Sequence, residues 1–456
     1  MTNQSRPFDI ADVADLCRLE PVYKNGAPVV TGSGEHWCVC PFCGDKRGKF
    51  SYVINRGNKK NYYGCFVCGE HGNMFDLWRE MNPFGKTYGD NDAKAMARDI
   101  YRAMDNPSYT PVERHVREEQ TSPDVKRLDD ETLSKNHLMV MKQLTLTDEH
   151  KRELLRRGFT DEDISRLGFR SSPDYAEAKK IADTLITKGR TLEGDPWFFE
   201  YTDRQGHSFM TMRVTPGIIL PIWHENLLVS AQVYAEAVIR SKLDPKNVEL
   251  AKEAEGVSKY MHLSTSGRPK GTSSGSESSF LPGKRRDIVI VAEGTLKALL
   301  AYSACRGEFS FVGVPGINAQ TGLDSVMRYI PKNAVIFEAF DMDQRRTVPD
   351  ATPENTAKIL AMYPDKAKEG MSAEQIVAHE RAKALQVSAS AKKLIARFQA
   401  AGFITVPLVW DTDKNGNWNG NYKGIDDILV AGYAEVMKKF VAHKAESARN
   451  LAELAG

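Results

Sequence analysis

The spacing of apolar and polar positions changes several times along the chain. A period near 3.6 over Asp9–Leu19 predicts an opening helix, and Asn73–Met81 (NMFDLWREM) predicts a second amphipathic one. Helical spacing returns over Thr147–Arg157 and Thr160–Leu167, where Thr160 ahead of DEDI is a good capping start. Between Trp197 and Ile239 the pattern shortens to PWFFEYTD, SFMTMRVT, GIILPIW and LLVSAQVYA, which predict a small β-rich module. After Lys284 strands and helices alternate. DIVIVAEG, FSFVGVPG, NAVIFEAFDMD and ITVPLVWD read as strands, and TLKALLAYSACRG, GLDSVMRYI and VSASAKKLIARFQAAGF as the helices between them. Strands this continuously apolar belong to a parallel sheet covered on both faces.

Less periodic stretches mark the joints. Asp105–Lys126 (DNPSYTPVERHVREEQTSPDVK) is polar and Pro-punctuated and reads as a linker. Thr265–Gly283 is Gly/Ser-rich and is expected to be mobile. A polar, helix-prone insertion runs from Gln344 to about Leu385, and KGIDDILVAG closes the last domain before a C-terminal helix. The predicted fold class is multidomain, α/β and α+β. From two close cysteine pairs, Cys40/Cys43 and Cys65/Cys68, we expect a zinc-ribbon domain over 1–104, then a linker over 105–134 and a β-rich and helical module over 135–284. An α/β domain over 285–435 follows, with its insertion at 344–385, then a helix over 436–456.

The 7 cysteines sharpen this picture. Cys40/Cys43 and Cys65/Cys68 are two C-x2-C knuckles, and two such knuckles meeting across a hairpin form a closed tetrahedral site for a structural Zn²⁺. The spacer, Gly44 to Gly64, is one residue longer than usual, which a longer hairpin tip absorbs. Cys38 is a poorer C-x-C ligand, His71 reads as a surface residue, and Cys17 and Cys305 lie in apolar helical patterns as buried thiols. MTNQSRPFDIADVADL has no apolar core and no stretch is long enough to span a membrane, so the expected location is the cytoplasm.

Charge matters through its distribution, because 62 basic residues nearly balance 60 acidic ones. Lys46, Arg47, Lys49, Arg56, Lys59 and Lys60 crowd the ribbon, opposed nearby by little beyond Asp45, and Lys259, Arg268, Lys270, Lys284, Arg285 and Arg286 form a second stretch. The ribbon also carries Phe42, Phe50, Tyr52, Tyr62, Tyr63 and Phe66. Cations for phosphates beside rings for bases point to nucleic acid.

Two strand ends carry carboxylates: Glu293 in VAEG, and Asp341 with Asp343 in FDMD. Ligands of open α/β sheets gather at the carboxyl ends of strands. On an extended backbone D-x-D points both side chains the same way, and Glu293 from a neighbouring strand completes a trio. Such a trio repels itself unless divalent cations neutralise it, and oxygen ligands select Mg²⁺ or Mn²⁺. The acidic KGIDD segment follows the fourth strand. DTDKNGNWN, with Asp411, Asp413 and Asn415, mimics a Ca²⁺ loop but lacks its closing Glu, so it reads as a turn.

Together these residues resemble the DnaG-type DNA primases of bacteria and phages. CPFC…YYGCFVCGEHGNMFDL resembles their N-terminal zinc-binding domain, and the strand–EG–helix and FDMD units resemble the Toprim domain they share with type IA topoisomerases and recombination mediators. GIILPIW with LLVSAQVYAEAV, and SKYMHLST with Lys259 and Tyr260, are similar to the polymerase core that precedes Toprim. The resemblance covers most of the chain in the family's domain order. It implies zinc at Cys40, Cys43, Cys65 and Cys68, and catalytic Mg²⁺ or Mn²⁺ at Glu293, Asp341 and Asp343. Lys259 and Arg213 would be basic residues of the polymerase groove. Lys46, Arg47, Lys49, Lys59, Lys60 and Tyr63 would contact the template.

The implied activity is synthesis of short RNA primers on single-stranded DNA from ribonucleoside triphosphates, by two-metal nucleotidyl transfer. Two departures stand out: Lys297 occupies a position where many bacterial primases carry an Asp, and Gln344-Arg345-Arg346 replaces a small, Gly-containing turn. They suggest a phage or mobile-element branch, acting in the bacterial host cytoplasm. No G-x4-GK-[ST] motif occurs, so the helicase would be a separate partner. The alternatives are a Toprim-type metal-dependent nuclease and a non-catalytic zinc-ribbon/Toprim DNA-binding factor.

Overall fold

A computed structural model describes residues 8–455 apart from 25, 32–33, 57–58, 66–69, 82–87, 89–91, 107–108, 110–122, 204–205, 255–256, 317–321 and 369. The chain divides into two compact units, residues 1–121 with 251–253, and residues 122–250 with 254–456.

In the first unit α1 (Ile10–Leu16) starts at Asp9, whose carboxylate accepts the Ala11 and Asp12 amides while the Asp12 carboxylate accepts the Asp9 amide. That reciprocal cap satisfies donors which a helix start leaves open. A short hairpin, β1 (Tyr23–Lys24) and β2 (Ala27–Pro28), follows. Strands β3 (His36–Cys38), β4 (Phe50–Arg56), β5 (Lys59–Cys65) and β6 (His71–Asn73) then form an antiparallel sheet in that order. Helices α2 (Met74–Met81) and α3 (Ala93–Met104) bring Leu77, Trp78, Met96 and Ile100 into one core with Ile10, Val13, Phe50 and Tyr63.

The second unit opens with α4 (Asp130–Gln143), α5 (Asp148–Arg156) and α6 (Asp161–Leu167), capped by Asp129, Thr147 and Thr160. Next come β7 (Arg170–Ser171), α7 (Tyr175–Thr187) and the hairpin β8 (Phe198–Thr202) with β9 (Ser208–Met212). Then follow β10 (Gly217–His224), β11 (Leu227–Ala235), α8 (Glu236–Leu243), α9 (Val248–Ala254), β12 (Tyr260–His262) and β13 (Ser279–Leu281). The α/β part holds β14 (Arg285–Glu293), α10 (Thr295–Ala304), β15 (Phe309–Val314), α11 (Leu323–Met327) and β16 (Val335–Ala339). The insertion supplies α12 (Thr356–Met362) and α13 (Pro364–Lys368). The chain ends with α14 (Ala373–Ala400), β17 (Ile404–Pro407), α15 (Ile425–Ile428) and α16 (Ala434–Ala455).

One nine-stranded sheet organises this unit, in the order β12-β11-β10-β13-β15-β14-β16-β17, with β7 also paired to β10. β14 runs parallel to β15 and β16, and β16 parallel to β17. The three-residue β13 joins the halves, parallel to β10 and antiparallel to β15. The module expected to end at 284 and the domain expected to begin at 285 therefore share one sheet. Along β14 the side chains alternate between two cores. Ile288, Ile290 and Ala292 pack with Leu296, Leu299 and Val441, and Val289 and Val291 pack with Leu323, Val326, Leu394 and Phe398. Both faces are covered, so a two-residue period hides inside an unbroken apolar run.

Three expectations need correction. Thr265–Gly283 is an ordered part of the unit: Thr265, Thr272, Ser274, Ser278 and Ser279 are buried, Thr265 donates its hydroxyl to the Phe198 carbonyl at 3.0 Å, and the segment supplies β13. Small side chains serve here for close packing and local hydrogen bonds. The linker expected over 105–134 stops short of its C-terminal bound, because α4 begins at Asp130 and the Asp124 carboxylate accepts the Gly267 and Ser273 amides. The insertion and the helix after it merge, since α14 runs unbroken for 28 residues and its first turns join α12 in a small separate core of Ile359, Tyr363, Ile376 and Val377. No helix among the described residues is long and apolar enough to cross a membrane.

Candidate functional site

In the ribbon, Cys40, Cys43 and Cys65 are buried and their sulfurs lie within 4.8 Å of one another, with Cys43 Sγ and Cys65 Sγ 3.9 Å apart. Four sulfurs at the usual Zn–S distance of about 2.3 Å stand roughly 3.8 Å from each other, so the separation suits shared coordination and is far too long for a disulfide. These three thiols fit zinc, and Cys68 lies outside the described residues. Cys38 is outside the sulfur group, and burial, then the Asp15 charge, pushes its thiol up to about 12. His71 is exposed on β6, and Cys17 and Cys305 are buried as expected.

Lys46, Arg47 and Lys49 are exposed on the segment between Cys43 and β4, and Arg47 pairs with buried Asp45. The side chains of Lys59 and Lys60 lie outside the described residues. Tyr63 must be corrected. It is 1% exposed, its ring centre 5.6 Å from Phe42 and 5.7 Å from Phe50, and burial raises its phenol strongly. A ring in that stack builds the core of a small unit and is closed to bases.

In the second unit the sheet register sets the carboxylates. Ala292 of β14 pairs with Ala339 of β16, so Glu293 and Asp341 follow their paired residues by one and two positions, at the carboxyl ends of adjacent parallel strands. Gly294, at φ +91°, turns the chain sharply from β14 into α10, a conformation that a residue with a Cβ adopts only under strain. The D-x-D segment is not extended, because Met342–Arg345 winds into a 3₁₀ turn. What unites its acids is Lys423, whose ammonium stands 3.3 Å from Asp341 Oδ2 and 2.8 Å from Asp343 Oδ2. Lys297, on the first turn of α10, donates to Asp341 Oδ1. Burial, then the Asp341 charge, raises the Glu293 carboxyl above its ordinary value, with Lys297 and Lys423 working against the rise and Asp343 adding to it. The trio is therefore one electrostatic group.

Asp426 extends it. This side chain is 6% exposed, and its Oδ1 has no hydrogen-bond partner. Burial raises it, Lys297 opposes, and Asp427 and Asp341 add to the rise. Gly424 makes room: a Cβ there would stand 2.2 Å from Asp426 Oδ1 and 3.5 Å from Asp341 Oδ1. A buried carboxylate oxygen lacking a partner suits a hard divalent cation, while no three of these acids bring ligand atoms within 4.8 Å of one another, the cysteines being the one such group among the described residues. The Asp411/Asp413 segment is a turn, its carboxylates taken by the amides of Asn421 and Tyr422 and of Asn415 and Asn417.

Next to the acids lies a crowd of cations. Lys259, which precedes β12, has its Nζ 4.9 Å from the Tyr260 ring centre and 5.9 Å from that of Tyr234. Arg157 stands 5.0 Å from the Tyr234 centre and donates to its hydroxyl at 3.1 Å, and that hydroxyl donates to the fully buried Glu153 at 3.0 Å. Burial, then Arg157, Lys242 and Lys297, brings Lys259 down to about 7, with Asp426 opposing. Arg213 sits apart from this group. Burial and Arg268 depress it, with the Tyr175 phenol opposing, and its Nε is buried without a partner. Sequence reasoning missed Arg157, Lys242 and Asp426 as site residues, although the KGIDD segment containing Asp426 was visible.

Residues 7–100 match the DnaG zinc ribbon, the CHC2 zinc finger family. The ribbon sheet, with its cysteine knuckles, falls inside that span. A search of curated proteins finds no match to this chain. Among solved structures, the chain is similar to the zinc-binding and RNA polymerase domains of Aquifex aeolicus primase, with 13% identity over 95% of this chain and 85% of that one and a TM-score of 0.42. It is also similar to the RNA polymerase domain of Mycobacterium tuberculosis primase DnaG in complex with a double-stranded DNA bearing a 6-nucleotide overhang, with 15% identity over 59% and 80% and a TM-score of 0.34. A DnaG catalytic domain bound to single-stranded DNA is 12% identical over 59% and 93%, with a TM-score of 0.27.

Proposed function

We propose that this chain is a DNA primase that synthesises short RNA primers on single-stranded DNA, with its nucleotidyl-transfer centre at the Toprim-like strand ends. The observation that carries the reading is the assembly of Glu293, Asp341 and Asp343 at adjoining parallel strand ends, next to the Lys259 cation cluster. A CHC2 ribbon of the DnaG type supports it.

The residues divide the work by charge. Glu293, Asp341, Asp343 and Asp426 would hold Mg²⁺ or Mn²⁺, and the unpartnered Asp426 oxygen is the feature of this site that fits such an ion. Bound there, a divalent ion lowers the pKa of an attacking hydroxyl and neutralises charge on a leaving pyrophosphate. Arg157 already has Glu153 as its partner at 2.9 Å, whereas Lys259 and Lys242 are depressed by burial and by the Arg157 charge, which suits these two lysines to the triphosphate or to the template backbone. Lys259 at about 7 is poised to gain a proton when phosphate approaches. In the ribbon, zinc would be held by Cys40, Cys43, Cys65 and Cys68, with the exposed Lys46 and Lys49 facing the template strand and Arg47 joining them from its pair with Asp45.

The expected partners are single-stranded DNA, ribonucleoside triphosphates and a separate helicase, in the host cytoplasm. The test is primer synthesis from ribonucleoside triphosphates on single-stranded DNA with Mg²⁺ or Mn²⁺. Oligoribonucleotides that vanish with Asp343→Asn, while zinc content and thermal melting stay unchanged, support the reading. No product from a folded preparation across varied templates defeats it, and DNA cleavage without nucleotides would indicate the nuclease instead.

A further inference from the structure

Both oxygens of Asp341 are already taken: Oδ1 by the Lys297 ammonium and Oδ2 by that of Lys423 at 3.3 Å. The two lysines differ in how they are held. Lys297 is fixed on the first turn of α10, with its side chain 25% exposed, and its charge reaches Glu293, Asp426 and Lys259 as well. Lys423 sits in the loop ahead of α15, 46% exposed, with its ammonium bridging the two acids of the D-x-D turn. A cation arriving from solvent meets the exposed lysine first.

We infer that Lys297 is a built-in cation occupying the place of a divalent ion, so that this centre binds one Mg²⁺ or Mn²⁺ and not two, while Lys423 is a placeholder which that ion displaces. The inference rests on the proposed metal-binding role of the carboxylates. With Lys423 displaced, the four acids Glu293, Asp341, Asp343 and Asp426 face Lys297 and one divalent ion, four negative charges against three positive, whereas a second ion beside Lys297 would leave the centre net positive. The oxygens freed for it are those of Asp343 and Asp341 Oδ2 once Lys423 swings out, with the unpartnered Asp426 Oδ1 and Glu293 still to be drawn in, since no three of these acids bring ligand atoms within 4.8 Å of one another. An ammonium brings charge without open coordination positions, so Lys297 stabilises the packed acids and withholds Asp341 Oδ1 from a second ion.

The test is a count of bound Mn²⁺ by electron paramagnetic resonance on the zinc-loaded full chain, with thermal melting to check folding. The wild type should bind one Mn²⁺ per chain. Lys297→Met and Lys297→Asp should each bind two. Lys423→Ala should still bind one, at least several-fold more tightly, because a competitor for Asp341 Oδ2 and Asp343 Oδ2 is gone. Two ions in the wild type, one in both Lys297 variants, or an added site in Lys423→Ala would each overturn the inference, as would no binding at all. Primer synthesis by the wild type is scored separately, so the polymerase reading can stand where the stoichiometry fails.

Discussion

Replacing Arg157 with Gln should move the titration of Lys259 while leaving the strand-end carboxylates Glu293, Asp341 and Asp343 in place. The two cations share one ring, with the Arg157 guanidinium carbon 5.0 Å and Lys259 Nζ 5.9 Å from the Tyr234 centre, which bounds their separation at about 11 Å. At that distance two unit charges repel by roughly 1.5 kcal/mol at an effective dielectric constant of ~20 and roughly 0.4 kcal/mol in bulk water. With 1.36 kcal/mol per pH unit, Lys259 should titrate about 0.3 to 1 unit higher in the variant. Gln at 157 can still hydrogen-bond to the Tyr234 hydroxyl and to Glu153, which keeps the half-exposed Arg156 as its ionic partner.

The assay is competitive labelling with trace acetic anhydride from pH 5 to 10, following the Lys259 peptide by mass spectrometry. The wild-type midpoint should lie near 7, with Arg157→Lys close to it and Arg157→Gln above both. The sign also fixes a stability trend. The folded chain disfavours charged Lys259 relative to an unfolded lysine at 10.5, so its destabilising effect is full below about pH 7 and fades as pH climbs toward 10.5. A wild-type midpoint near 10, or one indifferent to Arg157→Gln, would refute the claim that a cation cluster awaits an anion here.

Three further outcomes follow from the geometry. Cys43→Ser should release zinc and unfold the β3–β6 sheet, whereas Cys38→Ser, outside the sulfur group, should retain about one zinc per chain by atomic absorption. Gly424→Ala should weaken Mn²⁺ binding and lower stability by about 1–3 kcal/mol in urea melts, since the added Cβ would stand 2.2 Å from Asp426 Oδ1. Asp195→Ala should cost about 3 kcal/mol or more by thermal melting, because the fully buried carboxylate binds His137 Nε2 at 3.0 Å, the Asn136 amide at 3.0 Å and the Trp197 amide at 3.0 Å.

How much of this was legible depends on whether the information was local. The strands of the α/β part could be read because β14, β15 and β16 are apolar on both faces, and the caps at Thr147 and Thr160 because their bonds reach only three residues ahead. That Glu293, Asp341 and Asp343 come together could be read because each stands at the carboxyl end of an apolar strand. Tyr63 was misjudged because an aromatic in a basic ribbon looks the same in sequence whether it faces a base or Phe50. The Gly/Ser stretch was misjudged because small residues serve flexible chains and tight packing alike, and only β13, pairing with β10 and β15 across distant sequence, tells them apart. Arg157 lay in an ordinary helical pattern, and its meaning appears once Tyr234, 77 residues on, puts Lys259 over the same ring. Lys297 shows the same limit most sharply. In sequence it stands out as a departure from the resembled pattern, but its partners cannot be read there. Placed by Gly294 one turn from Glu293 and bonded to an aspartate on the next strand, it sets the charge of the whole centre.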